Sequence, residues 1–243
     1  MSACSPRRQA TVGLALAGCI VGAWLALHIA GVFFLPLRGG WLWLLPVQVL
    51  LQTWLSVGLF IVAHDAMHGS LAPGHPWANR AIGQLCVGVY AAFSYDRLRS
   101  NHHRHHARPG TADDPDFHGA QPRAFVSWFL QFFRTYFGWR ELAVLAVVVA
   151  IDVGLSAQPL NLLLCWALPA LLSALQLFTF GTWLPHRHHA AGVHDFADAH
   201  RARTLDWPWL VSLLACFHFG LHLEHHRQPH VPWWRLPRVR ADA

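Results

Sequence analysis

Histidine accounts for 19 of the 243 residues, and most of it falls in four short clusters. His64 and His68 form an HxxxH pair, and His102, His105 and His106 form HxxHH. His222, His225 and His226 repeat HxxHH, and His186 opens a fourth cluster. A neutral imidazole is a good ligand for divalent iron, copper or zinc. On a helix, positions i, i+3 and i+4 share a face, so the ligands of one cluster can converge. Nine such histidines are too many for one tetrahedral zinc and suit two metals with about four or five nitrogens each. Neutral ligands leave such a pair strongly positive. Asp65, Asp113, Asp114, Asp116 and Glu224 are placed to accept hydrogen bonds from the outer ring N–H groups. His28, His75, His118, His194 and His230 read as packing, surface or capping residues, and His103, His188, His189, His200 and His218 stay open.

The elements that must carry these clusters are apolar. Hydrophobic residues make up 54% of the chain and charged residues 12%, about half the usual share of a soluble domain. The expected fold is an all-α integral membrane protein with about four transmembrane helices, interfacial helices and a histidine-rich two-metal site, in one domain over residues 1–243. Residues 12–35 and 41–63 are long enough to span, 141–157 is a shorter span, and 160–184 is a fourth that Pro169 should kink. Gln48 and Gln52 mark a helix–helix contact. Residues 71–80 read as a loop, and 81–93, 125–137 and 207–220 as interfacial or re-entrant helices. An even number of crossings then separates all four clusters, which puts them on one side with the N-terminus. The basic residues are all Arg, and Arg38 alone falls on the opposite side, so the positive-inside rule makes the shared side cytoplasmic.

Positive-inside topology explains the +6 charge better than nucleic-acid binding does. The run after Arg7 and Arg8 reads as a retained first span rather than a cleaved signal. The five cysteines are scattered singly, without a CxxC, and predict no disulfide framework. No haem thiolate, flavin site, Gly-rich nucleotide fingerprint or Walker motif is present, so electrons must come from a separate partner. A metal pair at a membrane face, beside aromatic and apolar walls, suits oxygen activation for attack on C–H bonds of a lipid-like substrate.

At these residues the chain resembles the membrane di-iron superfamily of fatty-acid desaturases and hydroxylases, and more narrowly the bacterial β-carotene ketolases. The resemblance is strongest at residues 60–70 (FIVAHDAMHGS), 109–117 (PGTADDPDF), 132–140 (FFRTYFGWR), 180–187 (FGTWLPHR) and 216–220 (CFHFG). The histidine boxes alone carry only the superfamily; the other stretches carry the ketolases. The resemblance implies a carotenoid 4-oxygenase of the bacterial inner membrane that uses O2, two iron ions held by the box histidines, and a reduced ferredoxin-type donor. It further implies that the Asp113–Asp116 loop orients the ligands or shapes the entrance. Residues 188–193 depart from the family pattern, so the resemblance assigns no role to His188 or His189, which stay open. A carotenoid 3-hydroxylase or an acyl-lipid desaturase would use the same centre. A metal transporter would place its polar ligands within the spans, and here they gather at one edge.

Overall fold

The computed structural model describes residues 5–188 and 196–242, so the expectations for His189, residues 190–193 and His194 fall outside the described residues. The described residues are helical apart from turns and one isolated bridge, Thr204 to Leu221. Helix α1 (Pro6–Ile29) starts at Ser5, whose side chain accepts from the Arg8 N–H, with Pro6 in the first turn. A π-helical turn, Ala30–Phe34, extends it. Helix α2 (Leu45–His68) follows a 3-10 turn, Gly39–Leu44, and stops at Gly69, whose φ of 72° gives a left-handed cap.

Helix α2 is the central element. From Leu55 to Met67 every residue except Phe60 is buried, as expected of a helix that is apolar all round. Polar side chains tie it to α1: Trp24 Nε1 donates to Ser56 Oγ at 2.9 Å, and Gln48 donates to the Leu27 carbonyl at 3.0 Å. The predicted role of Gln48 at a helix contact fits this bond.

Helix α3 (Pro76–Ala91) packs along α2 and starts within the stretch expected as a loop. Pro76 supplies a ready first-turn φ, and Asn79 bridges the N–H and carbonyl of Ala72, closing the turn before it. Helix α4 (Tyr95–Ala107), capped by Ser94, carries the central histidine cluster. Helix α5 (Phe125–Tyr136) is short and aromatic. Helix α6 (Trp139–Gly154) is apolar, with Glu141 accepting from the Gly138 N–H at 3.0 Å.

Helix α7 is a continuous rod, Pro159–His186, interrupted by two π-helical turns, Leu163–Ala167 and Phe178–Trp183. Each wide turn ends two residues before a proline, Pro169 and Pro185. A proline removes the N–H that would bond four residues back and crowds that carbonyl, and a wider turn makes room for it. The deformation expected at Pro169 is therefore taken up by π turns. Helices α8 (Trp209–Cys216), α9 (His222–Arg227) and α10 (Leu236–Ala241) complete the chain. Cys19, Cys86, Cys165 and Cys216 are free thiols.

Among the described residues, three helices are long and apolar enough to cross a membrane: Pro6–Phe34, Gly39–His68 and Pro159–His186. Internal contacts fix their relative sense. Gln9, at the start of α1, donates to the Ser70 carbonyl at 2.7 Å, beside the end of α2. Asn161, at the start of α7, donates to the carbonyls of Gly31 and Leu35 at the far end of α1. The chain thus starts at the histidine end of the bundle, and α7 returns to that end to deliver His186.

Helix α1 and the segment after α2 are tightly packed at Gly13, where an added Cβ would lie 2.0 Å from the Leu71 carbonyl oxygen. Backbone cannot yield as a side-chain tip can. Gly13→Ala is therefore expected to cost about 1–3 kcal/mol through overpacking. The measurement is the thermal midpoint of the detergent-solubilised protein, and an unchanged midpoint would show that the contact is slack.

Candidate metal centre

The ends of α2, α4, α7 and α9 meet at one end of the bundle, and their histidines sort into two groups. His64, His68, His102, His106 and His225 form the first, and His105, His186, His222 and His226 the second. Within each group the ring nitrogens lie within 4.8 Å of one another. All nine of the histidines singled out from spacing are brought together here.

Helix geometry explains the sorting. Residues i and i+4 differ by about 40° around a helix, whereas i+3 falls about 60° to the other side. His64 with His68, His102 with His106, and His222 with His226 are i, i+4 pairs that serve one group each. The i+3 residue of each HxxHH box, His105 or His225, turns to the other group. The two groups adjoin: the rings of His106 and His226 stack with centroids 4.2 Å apart. Nε2 of His105 lies 3.1 Å from that of His226, and Nε2 of His225 lies 3.0 Å from that of His106.

The outer ring nitrogens show which atoms face inward. His105 Nδ1 donates to both oxygens of Asp114, at 2.9 and 3.0 Å. His186 Nδ1 donates to the Arg201 carbonyl at 2.7 Å. These bonds hold the Nδ1–H tautomer and leave Nε2 as the ligand atom. Nε2 of His186 and both ring nitrogens of His64 are buried without a hydrogen-bond partner. Buried imidazole nitrogens that offer lone pairs and lack a donor are what a divalent cation would satisfy, so the residues present fit a metal pair.

Electrostatics agree with ligand duty. Burial, reinforced by neighbouring imidazoles, holds His102, His106, His222, His225 and His226 far below the usual histidine range. They are therefore neutral, as metal ligation requires. For His105 burial acts in the same direction, but Asp114 and Asp116 outweigh it and push the group up. Asp114 would rise on burial, yet hydrogen bonds from His105, Gly110 and Asp116 keep it low and ionised.

The acids occupy different places. Asp114 grips His105 and also accepts the N–H groups of Gly110 and Asp116. Asp116 accepts from the Tyr136 hydroxyl and approaches His105 and Asp114. Asp65 accepts the Trp233 N–H at 3.0 Å and stands 3.6 Å from His64 Nδ1. Asp113 lies at the exposed edge of the loop, paired with Arg108, and Glu224 accepts from Thr204 Oγ1 at 2.7 Å.

Of the histidines left open, His103 reaches the Met67 carbonyl, and His200 lies 6.2 Å from the His226 ring. His218 bonds Ser212 beside Trp209 and Trp233, apart from both groups. Arg201 and Tyr136 were not singled out from sequence. A backbone carbonyl carries no residue-type signal, whereas a tyrosine one helix away from an acid loop does.

An apolar cavity of about 360 Å³ abuts the second group and part of the first. His64, His102, His105, His222 and Asp116 close one end. Aromatic residues of α5 and the face of α7 from Thr182 to Trp166 form its walls, the latter about 24 Å of helix at 1.5 Å per residue. Phe219 packs between His64 and His222, with ring centroids at 4.5 and 4.8 Å.

Two outcomes follow for this end of the bundle. His105→Ala and His225→Ala are each expected to abolish bound metal and turnover while the protein still inserts, as read by metal analysis of the purified membrane protein. Wild-type metal content in either variant would remove that residue from the ligand set. Asp114→Asn keeps the ligand but weakens its outer partner, and should lower metal affinity or activity about 10–100-fold.

The comparisons with known proteins are consistent with this geometry. The sequence model of the fatty acid desaturase family matches residues 39–149 and 133–243. The chain is 48% identical to a β-carotene ketolase of Paracoccus sp. (strain N81106 / MBIC 01143), over 95% of this chain and 93% of the relative. It is 38% identical to a β-carotene ketolase of Haematococcus lacustris, over 94% of this chain and 78% of that one. A zeaxanthin 4-ketolase of Chlamydomonas reinhardtii is 36% identical over 98% of this chain and 55% of its own length. The chain belongs to the fatty acid desaturase family and is similar over nearly all of its length to that family's β-carotene ketolases.

Proposed function

We propose that this protein is a β-carotene 4-ketolase of carotenoid biosynthesis, a single membrane-embedded domain that oxidises carbon 4 of β-ionone rings to a ketone. The observation that carries the reading is the apolar cavity that runs from the buried imidazoles along the membrane-spanning rod α7. A long, rigid, apolar substrate with its reactive ring at one end matches that shape. The names of the relatives add the substrate class.

Each histidine group would hold one iron ion. When bound, the iron pair supplies oxygen activation and the oxidising power for an unactivated allylic C–H bond. The chain's own residues do the rest. Phe60, Phe132 and Leu177 line the cavity, exclude water and hold the ring with carbon 4 towards His64, His102, His105 and His222. Asp114 fixes the ring plane of His105 through Nδ1–H. The Tyr136 hydroxyl, hydrogen-bonded to Asp116, holds a buried proton at the cavity wall. Two successive hydroxylations at the same carbon, then loss of water from the geminal diol, give the ketone. The net reaction consumes two O2, four electrons and four protons and releases three waters. The electrons come from a reduced ferredoxin-type donor.

Helix α6 would serve as a fourth crossing. It starts beside α3, where Arg140 donates to the Ala92 carbonyl, and the segment after it reaches the far end of α1 through Asn161. The N-terminus and all four histidine clusters then face the cytoplasm of a bacterial inner membrane, with every arginine except Arg38 on that side.

The test is pigment analysis of β-carotene-producing bacteria that express the chain. Echinenone and canthaxanthin are expected, and astaxanthin where zeaxanthin is the substrate. Zeaxanthin formed from β-carotene would make the protein a 3-hydroxylase. Unchanged β-carotene, with inserted and metallated protein and a competent donor, would refute the substrate assignment.

A further inference from the structure

Helix α4 is divided lengthwise. His102, His105 and His106 turn inward to the metal centre, and the exposed half carries Arg97, Arg99, His103, Arg104 and Arg108. Arg108 is paired with Asp113, and Asp96 with Arg80. Arg97, Arg99 and Arg104 have no carboxylate partner among the described residues. Each is held instead by a backbone carbonyl. Arg97 donates to that of Thr135 at 2.5 Å, Arg99 to that of Met67 at 3.4 Å and Arg104 to that of Asp113 at 3.1 Å. A carbonyl fixes a guanidinium without cancelling its charge, and a guanidinium has five N–H donors to share. The three arginines therefore form a positioned positive surface with donors to spare.

This surface borders the more open of the two histidine groups. His68, His102 and His106 of the first group are part-exposed, whereas all four members of the second are buried. The exposed ring of His103 stands 5.6 Å from that of His68, and His103 and Arg99 both reach the Met67 carbonyl. Resting on the ketolase reading, in which a separate protein supplies the electrons, we propose that the exposed half of α4 docks that donor, an acidic one-electron carrier of ferredoxin type, beside His103 and the first histidine group. One ketone takes four electrons, so four reduced carriers must each give up one electron and leave oxidised. Small, charge-steered interfaces suit such rapid exchange. A positive surface raises the encounter rate of an acidic partner about 10- to 1000-fold at low salt. Anionic lipid headgroups attract arginines as well, but it is a redox partner that gains from standing beside part-exposed ligands.

The test uses the full-length protein in phosphatidylcholine nanodiscs, with an acidic plant-type 2Fe–2S ferredoxin as the probe. Glutamine keeps an N–H for the carbonyl and removes the charge, so the variant combines Arg97→Gln, Arg99→Gln and Arg104→Gln. The Kd for oxidised ferredoxin and the KM for reduced ferredoxin are expected to rise about 10-fold, with metal content and the KM for β-carotene unchanged. Arg238→Gln, at an exposed position of α10, should change neither constant. Binding to the wild type should weaken from about 0.01 to about 1 M salt, as the Debye length falls from about 30 to about 3 Å. Unchanged Kd and KM in the triple variant would overturn the docking surface. So would a deficit confined to anionic phosphatidylglycerol nanodiscs, which would make the patch a lipid contact. β-Carotene oxygenated after dithionite reduction and an O2 pulse, by a wild-type protein that binds no ferredoxin, would refute the docking surface alone. No oxygenation with either reductant would refute the ketolase reading, and the docking surface with it.

Discussion

Nine imidazoles turn their ring nitrogens towards one another at one end of the bundle. Each neutral ring has one donor and one acceptor, and the outer N–H groups of His105 and His186 are already donated to Asp114 and to the Arg201 carbonyl. What remains inside is, in each group, a set of ring nitrogens within 4.8 Å of one another, an arrangement that a divalent cation would satisfy. That constraint explains why the acids and carbonyls stand outside the cluster rather than in it. It also explains why four helix ends from remote parts of the sequence must be held in register.

The register comes from devices at the helix ends. Gly69 stops α2 directly after His68, and Ser94 starts α4 seven residues before Asn101. The π turns of α7 absorb Pro169 and Pro185 and set the rotation at which His186 arrives. Gly181 lies in the second π turn, where an added Cβ would meet the Phe219 ring at 2.9 Å. Phe219 in turn packs between His64 and His222. The wide turn, the small residue and the metal centre are therefore one mechanical unit.

The cavity joins this unit to the membrane. Its polar end is made of the clustered histidines and the Asp116–Tyr136 pair, and its walls include α2 and α7, two of the helices long and apolar enough to cross a membrane.

The sequence by itself determined the chemistry. Four histidine clusters at ligand spacing, apolar stretches of spanning length and the one-sided arginines carried the class of site, the helical fold and the relative sidedness. These are local properties, because i, i+4 spacing fixes a shared helix face and hydropathy fixes a span. The tertiary structure alone decided how the ligands are shared. His105 and His225 leave their own boxes to complete the opposite group, because i+3 points about 60° away from i. It also separated Asp114, which grips His105, from Asp113 one residue earlier, which faces outward to Arg108. Spacing could not distinguish these neighbours, since the turn that sends one inward is set by hydrogen bonds to Gly110 and Asp116. The cavity exists only once α2, α5, α6 and α7 are packed together, because its walls come from segments remote in sequence.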